Sequence, residues 1–347
     1  MLLPVGISFY TFQAIGYTVD VYRGSVSAEQ RFWRYLLFIS FFPQLVAGPI
    51  ERSGNILPQL QLPARFSYER AKSGLVLMLW GYIQKMVVAD RLALLADTVY
   101  AQGGALGGWA TAAATVLFCF ELYCDFSSYT DIARGAARIL GVELMENFRS
   151  PFLSQSVAEF WRNWHISLSS FFRDYLYIPL GGSKKGEGRT YLNLLVVWLF
   201  TGLWHGSTLN FLLWGLFLFA LISLERLGWG KVLRRSQVIS RLYMLLVIPL
   251  SWMLFAIPSL KDIGSYIGRL FAFSGGTAVH ARDFLVYGRQ YAVVLVIGLL
   301  VSTPLPEKLW RRIRTSPLGT VLLLVLFWVC VYCMAVATND PFMYFSF

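Results

Sequence analysis

The chain has 347 residues, of which 56% are hydrophobic, 16% aromatic and only 14% charged. Length alone would suit two soluble domains, but apolar runs near the ~20 residues that span a bilayer recur along it and exclude a soluble domain of any size. The net charge of +11 (30 Lys+Arg against 19 Asp+Glu) does not point to nucleic acid, because the basic residues sit in short connections between apolar runs, as cytoplasmic loops do beside anionic lipid.

The first apolar run, Leu2–Val19, has neither a basic n-region nor an A-x-A cleavage site, so it does not read as a signal peptide. A second run, Phe32–Ile50, overlaps "FFPQLVAGPIERSG" (Phe41–Gly54), where Pro43, Gly48 and Pro49 interrupt a helix. Two readings stay open there: a re-entrant or cavity-lining segment buried in protein, or a helix that stops near Pro43 and continues as a loop. Leu75–Val88 and Ala110–Tyr123 follow, separated by a flexible Gly-rich stretch, Gln102–Gly108.

Glu121, Asp125 and Asp131 come next, and carboxylates so near a bilayer face a cavity or pair with cations. At about 100° per residue, Asp131, Arg134 and Arg138 share a helix face. A structural ion-pair network and a substrate site are both open.

Residues 155–180 are too polar to span and too aromatic for an ordinary loop. On a helical wheel Phe160, Trp161, Trp164, Leu168, Phe171, Phe172 and Tyr175 fill an arc of about 120°. Arg162, Ser169 and Arg173 lie opposite, with Ile166 as the apolar intruder. This predicts an amphipathic helix along an interface or tucked into the protein, with His165 at the edge of the arc beside Trp161 and Phe172.

The clearest spans then follow: Tyr191–Gly206, Leu209–Leu224, Leu242–Ile257, Tyr291–Thr303 and Leu318–Ala337. Including the earlier, less clean runs, the chain reads as roughly eight to ten membrane segments in one polytopic domain. Basic clusters at Lys184-Lys185 with Arg189, Lys231 with Arg234-Arg235, and Lys308 with Arg311, Arg312 and Arg314 separate these spans. Placing all three inside gives a topology whose parity closes, with Phe347 outside.

His205 is one of only three histidines. Counting from Tyr191 at 1.5 Å per residue puts it about 21 Å deep, in a hydrocarbon core only ~30 Å thick. An imidazole there needs a hydrogen-bond partner or a water-lined cavity, and it can take a proton from a hydroxyl and return it to a leaving group. A helix-bridging histidine is the other reading. Gly206 permits close backbone approach or a break in the helix. His280, in the polar connection Ser274–Arg282, is expected to be solvated and idle. Cys119, Cys124, Cys330 and Cys333 lie in or beside apolar runs and read as packing residues; no metal site is predicted. Walker A, H-E-x-x-H, G-x-S-x-G and dinucleotide fingerprints are absent. A transporter or assembly scaffold would show inverted internal repeats, and the halves show none.

Five stretches resemble one family: "LPVGISFYTFQAIGYTVDVYRG" (Leu3–Gly24), "FFPQLVAGPIER" (Phe41–Arg52), "DFSSYTDIARGAARILG" (Asp125–Gly141), "EFWRNWHISLSSFFRDYLYIPLGG" (Glu159–Gly182) and "LWHG" (Leu203–Gly206). They are similar to the membrane-bound O-acyltransferases, most of all the bacterial branch that acetylates exopolysaccharides such as alginate. The ending "NDPFMYFSF" is similar too, and the resemblance covers essentially the whole chain.

That resemblance implies an all-α polytopic membrane protein in one domain, 1–347, with a ring of tilted transmembrane helices and re-entrant or amphipathic helices around a central tunnel. Residues 155–180 would be the active-site segment. Relatives carry further hydrophobic helices before the LPVGISF motif, so the chain is expected to be shortened at its N-terminus. Ser128 stands where relatives commonly have Gly.

The implied activity is an O-acyltransferase that moves an acetyl group from a cytoplasmic thioester, acetyl-CoA, across the plasma (inner) membrane for O-acetylation of a cell-surface polysaccharide. His205 matches the family's catalytic histidine and His165 its second polar position. Trp161, Trp164 and Trp204 would shield the thioester from water, and Asp125, Asp131 and Arg173 are further candidates for substrate binding. For Arg173, a pair with Asp174 is the alternative. No bound cofactor is expected. The expected partners are the bilayer, the donor and a separate extracytoplasmic polysaccharide acetyltransferase. Alternative readings are D-alanyl transfer to teichoic acid from a carrier protein and a non-enzymatic export scaffold.

Overall fold

The computed structural model describes residues 6–62, 65–101, 108–271 and 283–336. Within them the ordered elements are helices: α1 (Ile7–Tyr22), α2 (Phe32–Ile39), α3 (Ser53–Gln61), α4 (Tyr68–Ile83), α5 (Asp90–Ala101), α6 (Gly108–Ile139), α7 (Val157–Asn163), α8 (Ile166–Phe172), α9 (Glu187–His205) and α10 (Leu209–Leu224). They continue with α11 (Gly230–Arg235), α12 (Gln237–Ala256), α13 (Leu260–Phe271), α14 (Asp283–Val301), α15 (Leu305–Ile313) and α16 (Pro317–Val336). His280, the last eleven residues and most of the 102–108 stretch lie outside the described residues.

Three helical stretches among the described residues are long and apolar enough to cross a membrane: Leu209–Arg235, Gln237–Ala256 and Pro317–Val336. A fourth candidate is the pair Gly288–Val301 and Leu305–Ile313, bent by 81°. This is fewer than the eight to ten segments expected from hydropathy. The other runs hold shorter or charged helices: α1 has 16 residues, α2 has eight, and α6, at 32 residues, carries Glu121, Asp125, Asp131 and Arg134. Along α16, Leu318, Val321, Leu324, Val325 and Trp328 are exposed, an apolar surface that water would penalise and lipid would not.

Two close-packed pairs organise the molecule. At the α4–α6 crossing a Cβ added at Gly74 would lie 2.6 Å from the Gly135 carbonyl, and one added at Gly135 equally close to that of Gly74. Only small residues let backbones approach like this. A buried charge cluster closes the same interface. Lys85, in a π-helical turn (Gln84–Ala89), reaches Asp90 and Asp125, each at 2.7 Å.

The second pair is the α9–α10 hairpin. Gly202 packs against the Phe211 carbonyl and Gly215 against that of Trp198, an antiparallel register. The basic residues before α9 and after α10 therefore share one end, and His205 lies at the other. At the basic end a cavity of about 390 Å³ is lined by Arg162, Tyr177, Glu225, Arg226 and Arg234, among others.

The stretch between α2 and α3 combines the two readings left open for it. The helix stops at Ile39, before Pro43, yet Phe41, Gln44, Ala47, Ile50 and Glu51 are buried. Gln44 Nε2 donates to the Phe38 carbonyl at 3.0 Å, and Glu51 accepts from Asn55 Nδ2 at 2.7 Å and from the Met145 amide. Non-helical backbone persists here because protein surrounds it.

Candidate functional site

Residues 155–180 do not form one amphipathic helix. Its α-helical turns end at Asn163, Trp164 is extended (φ −110°, ψ 130°), and His165 takes the left-handed conformation (φ 46°, ψ 54°) before α8 begins. A left-handed histidine stores conformational strain that its surroundings must offset. The segment Val142–Arg149 supplies the compensation. The Arg149 amide donates to the Asn163 carbonyl and the Ile166 amide to the Asn147 carbonyl, both at 3.0 Å. Backbone groups orphaned at the two helix ends are thus satisfied from outside.

The amphipathic pattern survives the break. Phe160, Trp161, Trp164, Leu168, Phe171 and Phe172 are buried, while Arg162 and Arg173 are exposed. The break turns His165 away from its predicted neighbours. Instead of Trp161 and Phe172 it meets Phe126 edge-on at 4.7 Å, Trp204 at 6.3 Å and Phe9 at 6.5 Å. Its side chain is 1% exposed.

Trp161 packs instead against Trp198 (5.1 Å), Trp214 (5.5 Å) and Trp252 (5.9 Å). Trp164 stacks on Phe160 at 5.4 Å and meets Trp252 at 4.9 Å. The ends of this segment are anchored elsewhere. Glu225 caps α7 by accepting from the Val157 and Ala158 amides at 2.6 and 3.0 Å. Beyond α8, the Arg52 guanidinium lies 4.4 Å from the Tyr175 ring centroid and pairs with Asp174 at 3.2 Å.

His205 is the last residue of α9, and Gly206 ends the helix with an extended backbone. A side chain at Gly206 would collide with the Phe211 ring, so both roles foreseen for this glycine apply. The His205 ring sits in an aromatic box of Trp204 (4.7 Å), Trp214 (5.1 Å), Phe255 (5.1 Å) and Phe211 (6.5 Å). It is partly exposed, and no side chain or backbone group among the described residues hydrogen-bonds it. Asn210 holds the box together across helices, donating from Nδ2 to the Phe255 carbonyl at 2.9 Å.

Trp204 connects the two histidines, since its ring contacts both His165 and His205. Its indole Nε1 is buried without a hydrogen-bond partner among the described residues, and so is His165 Nε2. Two buried polar atoms without partners among the described residues, one of them an obligate donor, therefore lie beside one partly accessible imidazole.

The charged candidates are engaged differently. Asp125 is held by Lys85; Asp131 pairs with Arg134 at 3.0 Å and accepts from Gln84 Nε2 at 3.1 Å. Arg138, expected on the same face, turns to Glu143 at 2.9 Å. From this part of α6 it is the Phe126 ring that meets His165. Arg173 pairs with its neighbour Asp174 at 2.7 Å on the surface. All four cysteines are free thiols. Sequence reading missed Asn147, Ser167, Asn210 and the rings of Phe126, Trp214 and Phe255. The one local signal was the polar "EN" of "MENFRSPF" inside a predominantly apolar chain.

The sequence has counterparts among known proteins. A profile described as MBOAT, membrane-bound O-acyltransferase family, matches residues 25–261, which include both histidines. The chain is 33% identical over 368 residues to a probable alginate O-acetylase AlgI of Pseudomonas putida, an alignment covering all of this chain and 76% of that protein. It is 37% identical over 303 residues to the protein of the same name from Pseudomonas aeruginosa, covering 87% of this chain and 58% of that one. A peptidoglycan O-acetyltransferase of Helicobacter pylori is 31% identical over 323 residues, covering 82% and 60%. The chain thus spans about three fifths to three quarters of the length of these relatives. The family profile and these relatives agree with the helical, apolar architecture of the described residues, and the chain belongs to the membrane-bound O-acyltransferase family.

Proposed function

We propose that this chain carries the acyl-transfer centre of a membrane O-acyltransferase serving a cell-surface polysaccharide, with a cytoplasmic thioester as donor and acetyl as the acyl group. The observation that carries the reading is the partly accessible, unclaimed imidazole of His205 at the end of α9, one tryptophan away from His165. His205 takes the proton from the attacking hydroxyl, whose oxygen adds to the thioester carbonyl. The tetrahedral intermediate then collapses with loss of the thiolate, which recovers the proton from the imidazolium.

The developing oxyanion needs a pre-placed donor, and the buried Trp204 Nε1–H is the nearest candidate by its contacts with both histidines. Trp161 and Trp164, in the adjoining aromatic cluster, keep water from the thioester. The chamber would lie within a ring of tilted helices around a tunnel through the inner membrane. The donor enters from the basic end, and a separate extracytoplasmic transferase receives the acetyl group. Within this reading Asp125, Asp131 and Arg173 influence substrate through their ion pairs and the segments these hold.

The test is His205→Ala in cells, with polymer acetylation scored by NMR. Loss of a general base predicts a fall of roughly 10²- to 10⁴-fold at normal protein level. Unchanged acetylation at that level would sink the assignment. Supplying a coenzyme A thioester or a carrier-bound acyl group to membranes identifies the donor.

A further inference from the structure

Asn147 is buried, 18 residues before His165 in sequence, and its side-chain oxygen faces two nitrogens at once. The Ser167 backbone amide lies 3.0 Å from Asn147 Oδ1, and His165 Nδ1 lies 3.3 Å from the same atom. A backbone N–H can only donate, so the amide atom facing it must be the oxygen, which removes the usual ambiguity of an asparagine flip. That oxygen only accepts, so a proton on His165 Nδ1 makes a hydrogen bond where a bare nitrogen would set one lone pair against another. A neutral imidazole has one N–H, which leaves the lone pair on Nε2. Ser167 Oγ, at 3.4 Å from Nδ1, would donate to it only in the other tautomer, which leaves Nδ1 and Asn147 Oδ1 facing each other with no proton between them.

The left-handed backbone of His165 and the Asn147 carbonyl bond to Ile166 hold the ring and the amide in this register. Nε2 is then a buried acceptor with no partner among the described residues, near the Trp204 ring that also touches His205.

We propose that Asn147 is a positioning residue that fixes His165 as its Nδ1–H tautomer, so that His165 presents an acceptor, and not a donor, to the reacting hydroxyl. In this form His165 orients the hydroxyl toward His205 or takes part in removing its proton. It cannot stabilise the oxyanion, which falls to Trp204. The inference rests on the acyl-transfer reading for its consequence, but its structural content stands apart from that reading.

The experiment is ¹⁵N NMR of the full chain in membranes with ¹⁵N-labelled histidine, in which the His165 signals are assigned by their loss in His165→Gln. The expected result is the Nδ1–H tautomer in the wild type, its retention in Asn147→Asp and Ser167→Ala, and its loss in Asn147→Leu. In parallel, Asn147→Leu should lower polymer acetylation by roughly ten- to a hundredfold, the range seen when the partner orienting a metal-bound imidazole is removed, with recovery in Asn147→Asp. An Nε2–H tautomer in the wild type, or an unchanged one in Asn147→Leu, overturns the proposal. Should Asn147→Leu fail to fold, the wild-type tautomer and the Asn147→Asp result still decide. Full acetylation by His165→Ala would instead sink the catalytic role of that histidine and leave the tautomer result intact.

Discussion

Trp204 is the residue whose chemistry can be separated most cleanly from its packing. Its ring contacts Phe9, Phe12 and both histidines, while its Nε1–H is buried without a partner among the described residues. Trp204→Phe keeps most of the ring contact and removes the donor. If that donor meets the oxyanion, kcat in membrane vesicles should fall about 10²- to 10³-fold with little change in KM. A change in KM alone would mark Trp204 as a wall of the chamber only. At this scale the sequence was informative about identity and poor about surroundings. His165 and His205 stood out because imidazoles are rare in so apolar a chain. The contacts of His165 were misread because a wheel assumes one helix, and the break at Trp164 rotates everything after it. Asn147 gave almost no signal, since its link to His165 exists only once the Val142–Arg149 segment lies beside the break.

Among the elements, the α4–α6 pair is where sequence left two options and geometry favours one. The carboxylates of α6 could have served substrate or cations, and the structure pairs Asp125 with Lys85 and Asp131 with Arg134 and Gln84. Removing one member of a buried ion pair leaves an uncompensated charge. Lys85→Met should therefore destabilise the protein by about 3–5 kcal/mol, read as a lower melting temperature in detergent. Replacing Lys85, Asp90 and Asp125 together by apolar residues of similar volume should recover much of that loss. If Lys85→Met melts like the wild type, the cluster does not hold α4 to α6. The same pair shows why helix existence was legible and helix interruption was not. Apolar runs announced α4, whereas nothing local marked the π-helical turn from which Lys85 reaches Asp90 and Asp125.

For the whole molecule, the α9–α10 hairpin brings two of the three basic clusters to one end and His205 to the other. Counting 18 steps along α9 separates its first residue from His205 by about 27 Å. The topology that places the basic end in the cytoplasm predicts that single cysteines at Ser183, Arg235 and Arg312, in a background with Cys119, Cys124, Cys330 and Cys333 replaced by alanine, react with a membrane-impermeant maleimide only after the membrane is permeabilised. Labelling of any of them in spheroplasts before that step would invert or break the assigned parity.

Composition and hydropathy by themselves determined that this is an apolar chain with recurrent long apolar runs and marked its basic connections and its two notable histidines, while the resemblance of five motifs implied its all-α fold and its family. Those properties are local: apolar transfer free energy acts residue by residue, and helix periodicity acts over a few turns. Only the tertiary structure decided that His165 sits at a break in left-handed backbone, that Asn147 faces its ring, that Trp204 lies between two imidazoles and that Asp125 and Asp131 of α6 pair with Lys85 and Arg134. Each of these is a contact between segments distant in sequence, and no local rule encodes which buried polar group will meet which until the packing of the helices brings them together.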